Sequence, residues 1–105
     1  MNIHLQPILT RLKTELTNLY GDRLQNLTLF GSQARGDAEP GSDDVLVVLK
    51  PPVNPGEEIK RTGKAIADLS LDYDVVISCL FMDENHYQTR NGSLLRNIRK
   101  EGVLL

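Results

Sequence analysis

The chain has 105 residues, 40% of them hydrophobic and 25% charged, enough for a single domain over residues 1–105 with a small core. Its formal net charge of -2 supplies no overall basic field, so direct nucleic-acid binding is not expected, and no segment is long and apolar enough to cross a membrane. A single cysteine, Cys79, forms no internal disulfide, and without a secretory pattern at the N-terminus a reducing cytoplasm is the expected setting.

Ile8, Leu9, Leu12, Leu16 and Leu19 recur at helical spacing with Arg11, Lys13, Glu15 and Asn18 between them, which predicts an amphipathic first helix ending near Gly21. Leu24 to Phe30 reads as a first strand, closed by Gly31. Ser32–Gly36 is expected as a short helix and Asp37–Gly41 as a loop. Asp44 to Leu49 is apolar on both faces, the mark of a central strand covered on both sides. Asn54 then offers an N-cap with Pro55 at the first helical position, and Glu57 and Glu58 complement the positive end of the helix dipole. Ile59, Thr62, Ala65, Ile66 and Leu69 make one face of that helix, with Lys60, Arg61 and Lys64 on a solvated side. A third strand is expected from Tyr73 to Leu80, and two short helices around Asp83–Gln88 and Ser93–Lys100, the second ended by Gly102. Tyr20, Tyr73 and Tyr87 read as packing residues with wet hydroxyls, and His4 and His86 are isolated from any metal-ligand spacing. This order is that of a small α/β domain, with the direction of strand two against strand one left open by the short connection.

The chemistry concentrates between the first two strands. Gly31 and Ser32 leave a strand and open a helical turn, where backbone amides point at an anion and glycine permits close approach to a phosphate. Asp43 and Asp44 stand where the next strand begins, and carboxylate oxygens are the usual protein ligands of Mg²⁺. Taken alone, a Gly-Ser turn and a Ser-Asp-Asp strand start are ordinary turn chemistry. Joined by one short loop, they describe a phosphoryl- or nucleotidyl-transfer site, and no Gly-Lys-Ser/Thr follows to make it a Walker loop.

The run GSQARGD, then AEPG, then SDD and VLVVL resembles the signature of the minimal nucleotidyltransferases, the small branch of the polymerase β-type superfamily. Those proteins carry G-S-x-A-R-G-D, a short spacer, then S-D-x-D and a hydrophobic run. The present chain lacks the residue between the two aspartates. The resemblance implies a nucleotidyltransferase fold with a mixed β-sheet flanked by helices. It assigns nucleotide binding to Gly31, Ser32 and Arg35, with capping of the short helix the other role open to Arg35, and assigns both metal binding and catalysis to Asp43, Asp44 and Asp74. Asp74 directly precedes Val75-Val76-Ile77 as the family's third carboxylate precedes its strand, and Asp72 has the same strand parity two residues further out. The implied activity is transfer of AMP from ATP, with Mg²⁺, to a tyrosine hydroxyl of a HEPN-type RNase toxin, which the chain would neutralise as an antitoxin. The alternative is a catalytically impaired domain that neutralises the toxin by contact. That alternative arises because adjacent strand residues face opposite ways, so both aspartates keep their family positions only if Asp43 lies in the loop or is turned away while Asp44 holds the strand.

Overall fold

The computed structural model describes residues 5–30, 42–74, 76–90 and 92–105. In chain order they form α1 (Leu5–Tyr20), a 3-10 turn at Gly21–Arg23, β1 (Leu24–Phe30), β2 (Ser42–Leu49), α2 (Pro55–Tyr73), β3 (Val76–Asp83), α3 (Glu84–Thr89), α4 (Ser93–Glu101) and β4 (Val103–Leu104). The sheet order is β3-β2-β1-β4, with β1 antiparallel to both β2 and β4, and β2 parallel to β3. This is the mixed sheet flanked by helices that the motif resemblance implied. The short connection left the direction of β2 against β1 open, and it is antiparallel.

Alternation along β2 sets the layers. Val45, Val47 and Leu49 pack on one side with Leu27 and Leu29 of β1, Ile77 and Phe81 of β3, and the apolar stripe Ile8, Leu9, Leu12 and Leu16 of α1. Leu69 of α2 joins the same cluster. Leu46 and Val48 face the other way, against Leu95 and Ile98 of α4, with Phe30, Met82 and Tyr87 at the margin. Each β2 residue from Val45 to Leu49 is at most 1% exposed, which is why the run reads as continuously apolar.

The helix boundaries follow from local chemistry. Gly21, at φ 54, takes the left-handed conformation that closes α1. Asn54 caps α2 as expected, its side chain accepting from the Glu57 amide at 3.3 Å with Pro55 next in line. Arg11 of α1 donates to Asp72 at 2.5 Å and stacks over the Tyr73 ring, tying α1 to the end of α2.

Two expectations need correction, and the tail adds one element. The third strand does not start at Tyr73: α2 runs through that residue, and β3 begins at Val76 and extends to Asp83. Asp83 is the N-cap of α3, accepting from the His86 amide at 2.7 Å, rather than part of the helix. The tail after Gly102 adds the short strand β4 beside β1, secured also by the Leu105 amide donating to the Leu27 carbonyl at 2.8 Å.

Candidate functional site

The site assigned from sequence lies at the end of the sheet where β1 finishes and β2 begins. Gly31, Ser32 and Arg35 lie outside the described residues, as do the expected helix Ser32–Gly36 and loop Asp37–Gly41. What is described is the frame on both sides of them. Phe30, the residue before Gly31, is the ladder partner of Asp44. On the opposite edge of β2, Asp44 pairs with Ser78. Phe30, Asp44 and Ser78 therefore lie side by side at one end of one sheet.

Strand periodicity places Asp44 on the face of Leu46 and Val48, the side covered by α3 and α4. That cover is incomplete. On the same face of β3, Val76 is 63% exposed, Ser78 is exposed, Leu80 is 36% exposed and Met82 is half-buried. The helices thus close the end of this face remote from Asp44. Asp44 itself is only half-buried at the other end.

One of the two placements expected for Asp43, in the loop before the strand, is excluded: the parallel ladder runs Ser42↔Val76, Asp43↔Ile77, Asp44↔Ser78 without a bulge. Asp44 does hold the strand position expected of it. Pairing on both edges, to Phe30 and Ser78, fixes its register.

Asp74 sits in the C-cap of α2 at φ 54, ψ 49, its amide donating to the Ser70 carbonyl, and its side chain is exposed. Aspartate is one of the few residues that tolerate this left-handed conformation. It lies four positions ahead of Ser78, the ladder partner of Asp44, an offset of about 13 Å if the chain were extended. Carboxylates are the right chemistry for Mg²⁺. Yet among the described residues no three His, Cys, Asp or Glu side chains group to hold an ion, and Asp44 and Asp74 alone do not make its shell.

Two residues of interest escaped the sequence reading. Ser78 is the nearest β3 neighbour of Asp44 on the ladder, and no local signal reveals parallel register across a helical crossover. Glu58 lies in the first turn of α2 as expected and is only 2% exposed, its Oε1 accepting from the Tyr20 hydroxyl at 2.9 Å and from Arg61 Nη1 at 2.7 Å. Arg61 and Arg23 approach the Tyr20 ring at 6.0 and 5.7 Å. Burial, and then the bond to Glu58, push the Tyr20 hydroxyl up to about 12. Its hydroxyl is therefore not wet as expected. This network ties α1 to the first turn of α2 at the sheet end remote from Asp44. Cys79 is half-buried on β3, and burial pushes its thiol up to about 11, which leaves it a poor nucleophile.

The nucleotidyltransferase domain family model matches residues 9–105. Two Methanocaldococcus jannaschii proteins described as candidate protein adenylyltransferases are similar. MJ0141 is 38% identical over 97 residues, covering 91% of this chain and 93% of its own, and MJ0604 is 33% identical over 93 residues, covering 86% of each. Among solved structures, a protein from Sulfolobus solfataricus described as a candidate nucleotidyltransferase shares 21% identity at a TM-score of 0.62, covering 96% of this chain and 81% of that one. The Shewanella oneidensis complex of a tri-AMPylated HEPN toxin with its MNT antitoxin matches at 14% identity and a TM-score of 0.62, covering 94% and 69%. A toxin–antitoxin structure with AMP-PNP matches at 14% and 0.65, covering 90% and 69%. With the family match spanning nearly the whole chain and the motif at the junction of β1 and β2, the chain belongs to the nucleotidyltransferase domain family.

Proposed function

We propose that this chain is an antitoxin that transfers AMP from ATP to a tyrosine hydroxyl of a HEPN-type RNase toxin. The observation that supports the reading is the register Phe30↔Asp44, which sets the last described residue before the Gly-Ser motif beside an aspartate near the start of β2. The adenylyltransferase relatives and the toxin–antitoxin neighbours support the same class of acceptor. In the proposed reaction the acceptor oxygen bonds to the α-phosphorus, the bond to the β-phosphate breaks, pyrophosphate leaves, and the hydroxyl gives up its proton. Gly31, Ser32 and Arg35 hold the triphosphate, through backbone amides, hydroxyl and guanidinium. Asp43, Asp44 and Asp74 are the proposed carboxylates for Mg²⁺ and catalysis, an assignment that rests on the motif.

The test is incubation of the chain with Mg²⁺, its HEPN-type partner and ATP labelled at the α-phosphate. Label is expected on the partner and is expected to vanish with Asp44→Asn, whose thermal midpoint stays close to that of the parent. Transfer by Asp44→Asn at the parental rate would remove Asp44 from the chemistry. A stable complex carrying no label would refute the enzyme and favour a second reading, neutralisation by binding alone. One observation supports that second reading: the ladder runs unbroken through Asp43 and Asp44, with no bulge to take up the residue that separates the aspartates in the family motif.

A further inference from the structure

Asp74 follows a stretch of α2 with little hold on the core. Leu69 is the last buried residue of that helix. Beyond it Ser70 is half-buried, Leu71 is 81% exposed, and Asp72, Tyr73 and Asp74 are exposed as well. A helix end without core packing is prone to fray. The bond from the Asp74 amide to the Ser70 carbonyl closes the last turn on itself, but it does not fix where that turn stands against the sheet.

That tie comes from α1. Arg11 Nη1 donates to Asp72 Oδ2 at 2.5 Å, and the guanidinium lies 5.9 Å from the centre of the Tyr73 ring. Asp72 and Tyr73 are the two residues immediately before Asp74. Arg11 itself projects from a firm base, because Ile8, Leu9, Leu12 and Leu16 of α1 are buried in the larger cluster. The two aspartates at this end therefore differ in circumstance. Asp72, which shares the strand parity of Asp74 in the sequence, is engaged by the guanidinium. Asp74, at φ 54, is where the backbone leaves the helix, and its side chain is exposed.

We infer that Arg11 is a positioning residue for AMP transfer: its grip on Asp72 and Tyr73 fixes the last turn of α2, and with it the place of Asp74 relative to Asp44. The inference rests on the role proposed above for Asp74. Asp72 is then the anchor of the turn, and Asp74 the carboxylate that serves the site. Asp74 comes two residues after the anchor, so a swing of the released turn carries its carboxylate along. A misplacement of about 1 Å can cost about 10²-fold in rate. An exposed ion pair contributes little to stability by itself. Loss of Arg11 is therefore expected in the rate of transfer rather than in the melting of the fold.

The test measures AMP transfer to the HEPN-type partner by the full chain and by Arg11→Ala, Arg11→Asp, Asp72→Arg and the exchanged pair Arg11→Asp/Asp72→Arg. Thermal melting and hydrogen exchange are read on each chain alone. Arg11→Ala is expected to lower kcat about tenfold or more, with the KM for ATP and the thermal midpoint nearly unchanged. Its amides from Leu71 to Asp74 should exchange faster than those of the parent. The exchanged pair should recover at least part of the rate that each single change loses, which a loss of packing alone would not allow. Parental kcat in Arg11→Ala overturns the inference, as does unchanged exchange at the end of α2. A fall in rate that the exchanged pair does not recover, or that only follows a fall in midpoint, overturns it too. Asp74→Asn separates this inference from the reading beneath it. Parental transfer by Asp74→Asn, or no transfer by the parent, defeats the reading and the role of Arg11 with it. Transfer lost in Asp74→Asn but kept in Arg11→Ala defeats the role of Arg11 alone.

Discussion

Gly102→Ala is the substitution whose cost the geometry states most directly. Gly102 joins α4 to β4, with its amide donating to the Ile98 carbonyl at 2.7 Å. Its φ of -69 is open to any residue, so alanine suffers no dihedral strain there. By itself the change would gain about 0.4–1 kcal/mol by restricting the unfolded chain. Space decides otherwise. The added Cβ would stand 2.4 Å from the Ile98 carbonyl oxygen, 2.5 Å from Thr28 Cγ2 and 3.3 Å from the Leu29 carbonyl oxygen. Two of these belong to backbone, and Thr28 is 6% exposed with its hydroxyl donating to Asn26 at 2.6 Å, so none is the free end of a flexible chain. Overpacking of this kind costs about 1–3 kcal/mol, which outweighs the gain and leaves a net loss of about 1–2 kcal/mol. For a domain of this size that lowers the thermal midpoint by about 4–15 °C. The strain can be relieved only by lifting α4 or β4, and β4 is held by just two ladder residues. Thermal melting by circular dichroism, with urea unfolding beside it, reads the effect. A midpoint equal to or above the parent would show that the close approach is not enforced by the fold.

Removing the Tyr20 hydroxyl leaves Glu58 with Arg61 as its recorded partner, so Tyr20→Phe is expected to cost about 1–2 kcal/mol in urea unfolding; a neutral result would mean the bond is dispensable. The same hydroxyl makes stability depend on alkaline pH. Its folded value, about 12, lies above the ordinary 10, so its contribution is complete below pH 10 and is lost as pH rises toward 12, a slope that Tyr20→Phe should flatten. Asp74→Gly should raise the thermal midpoint slightly, by about 0.5–1 kcal/mol of relieved left-handed strain, while abolishing AMP transfer; retained transfer would exclude Asp74 from the site. Insertion of one isoleucine between Asp43 and Asp44 should increase Mg²⁺-dependent transfer, and equal activity in the two forms would show that the adjacent pair is competent.

Much of this fold was legible because burial is two-sided and local signals agree. The continuous run from Val45 to Leu49 announced a covered central strand, and Asn54 with Pro55 announced the start of α2. The boundary near Asp74 was not legible. Tyr73 and Val75 favour strand, but Tyr73 lies against Arg11 of α1, and that contact helps carry α2 through it. Glu58 shows the same limit: its place in the first turn of α2 was legible, but its bond to Tyr20 of α1 was not. In the site, the motif identified the end of the sheet and the place of Asp44 on the strand. Its pairing with Ser78 depends on a parallel register set across the whole of α2, which no local pattern encodes.

The two faces of the sheet divide the work. The face toward α1 and α2 supplies the larger of the two buried clusters, from Leu27 through Val45 to Phe81. The other face holds a smaller cluster, Leu46, Val48, Leu95 and Ile98, confined to the part away from Asp44. A domain this small gains stability from every apolar residue it buries, yet it leaves Val76 and Leu80 partly in solvent on the Asp44 face. Covering them with another helical turn would bury the approach to Asp44 as well. Among the described residues, the smaller cluster on that side is therefore compatible with the proposed site at that end. The larger cluster on the opposite face fixes the register of β2, and with it the position of Asp44.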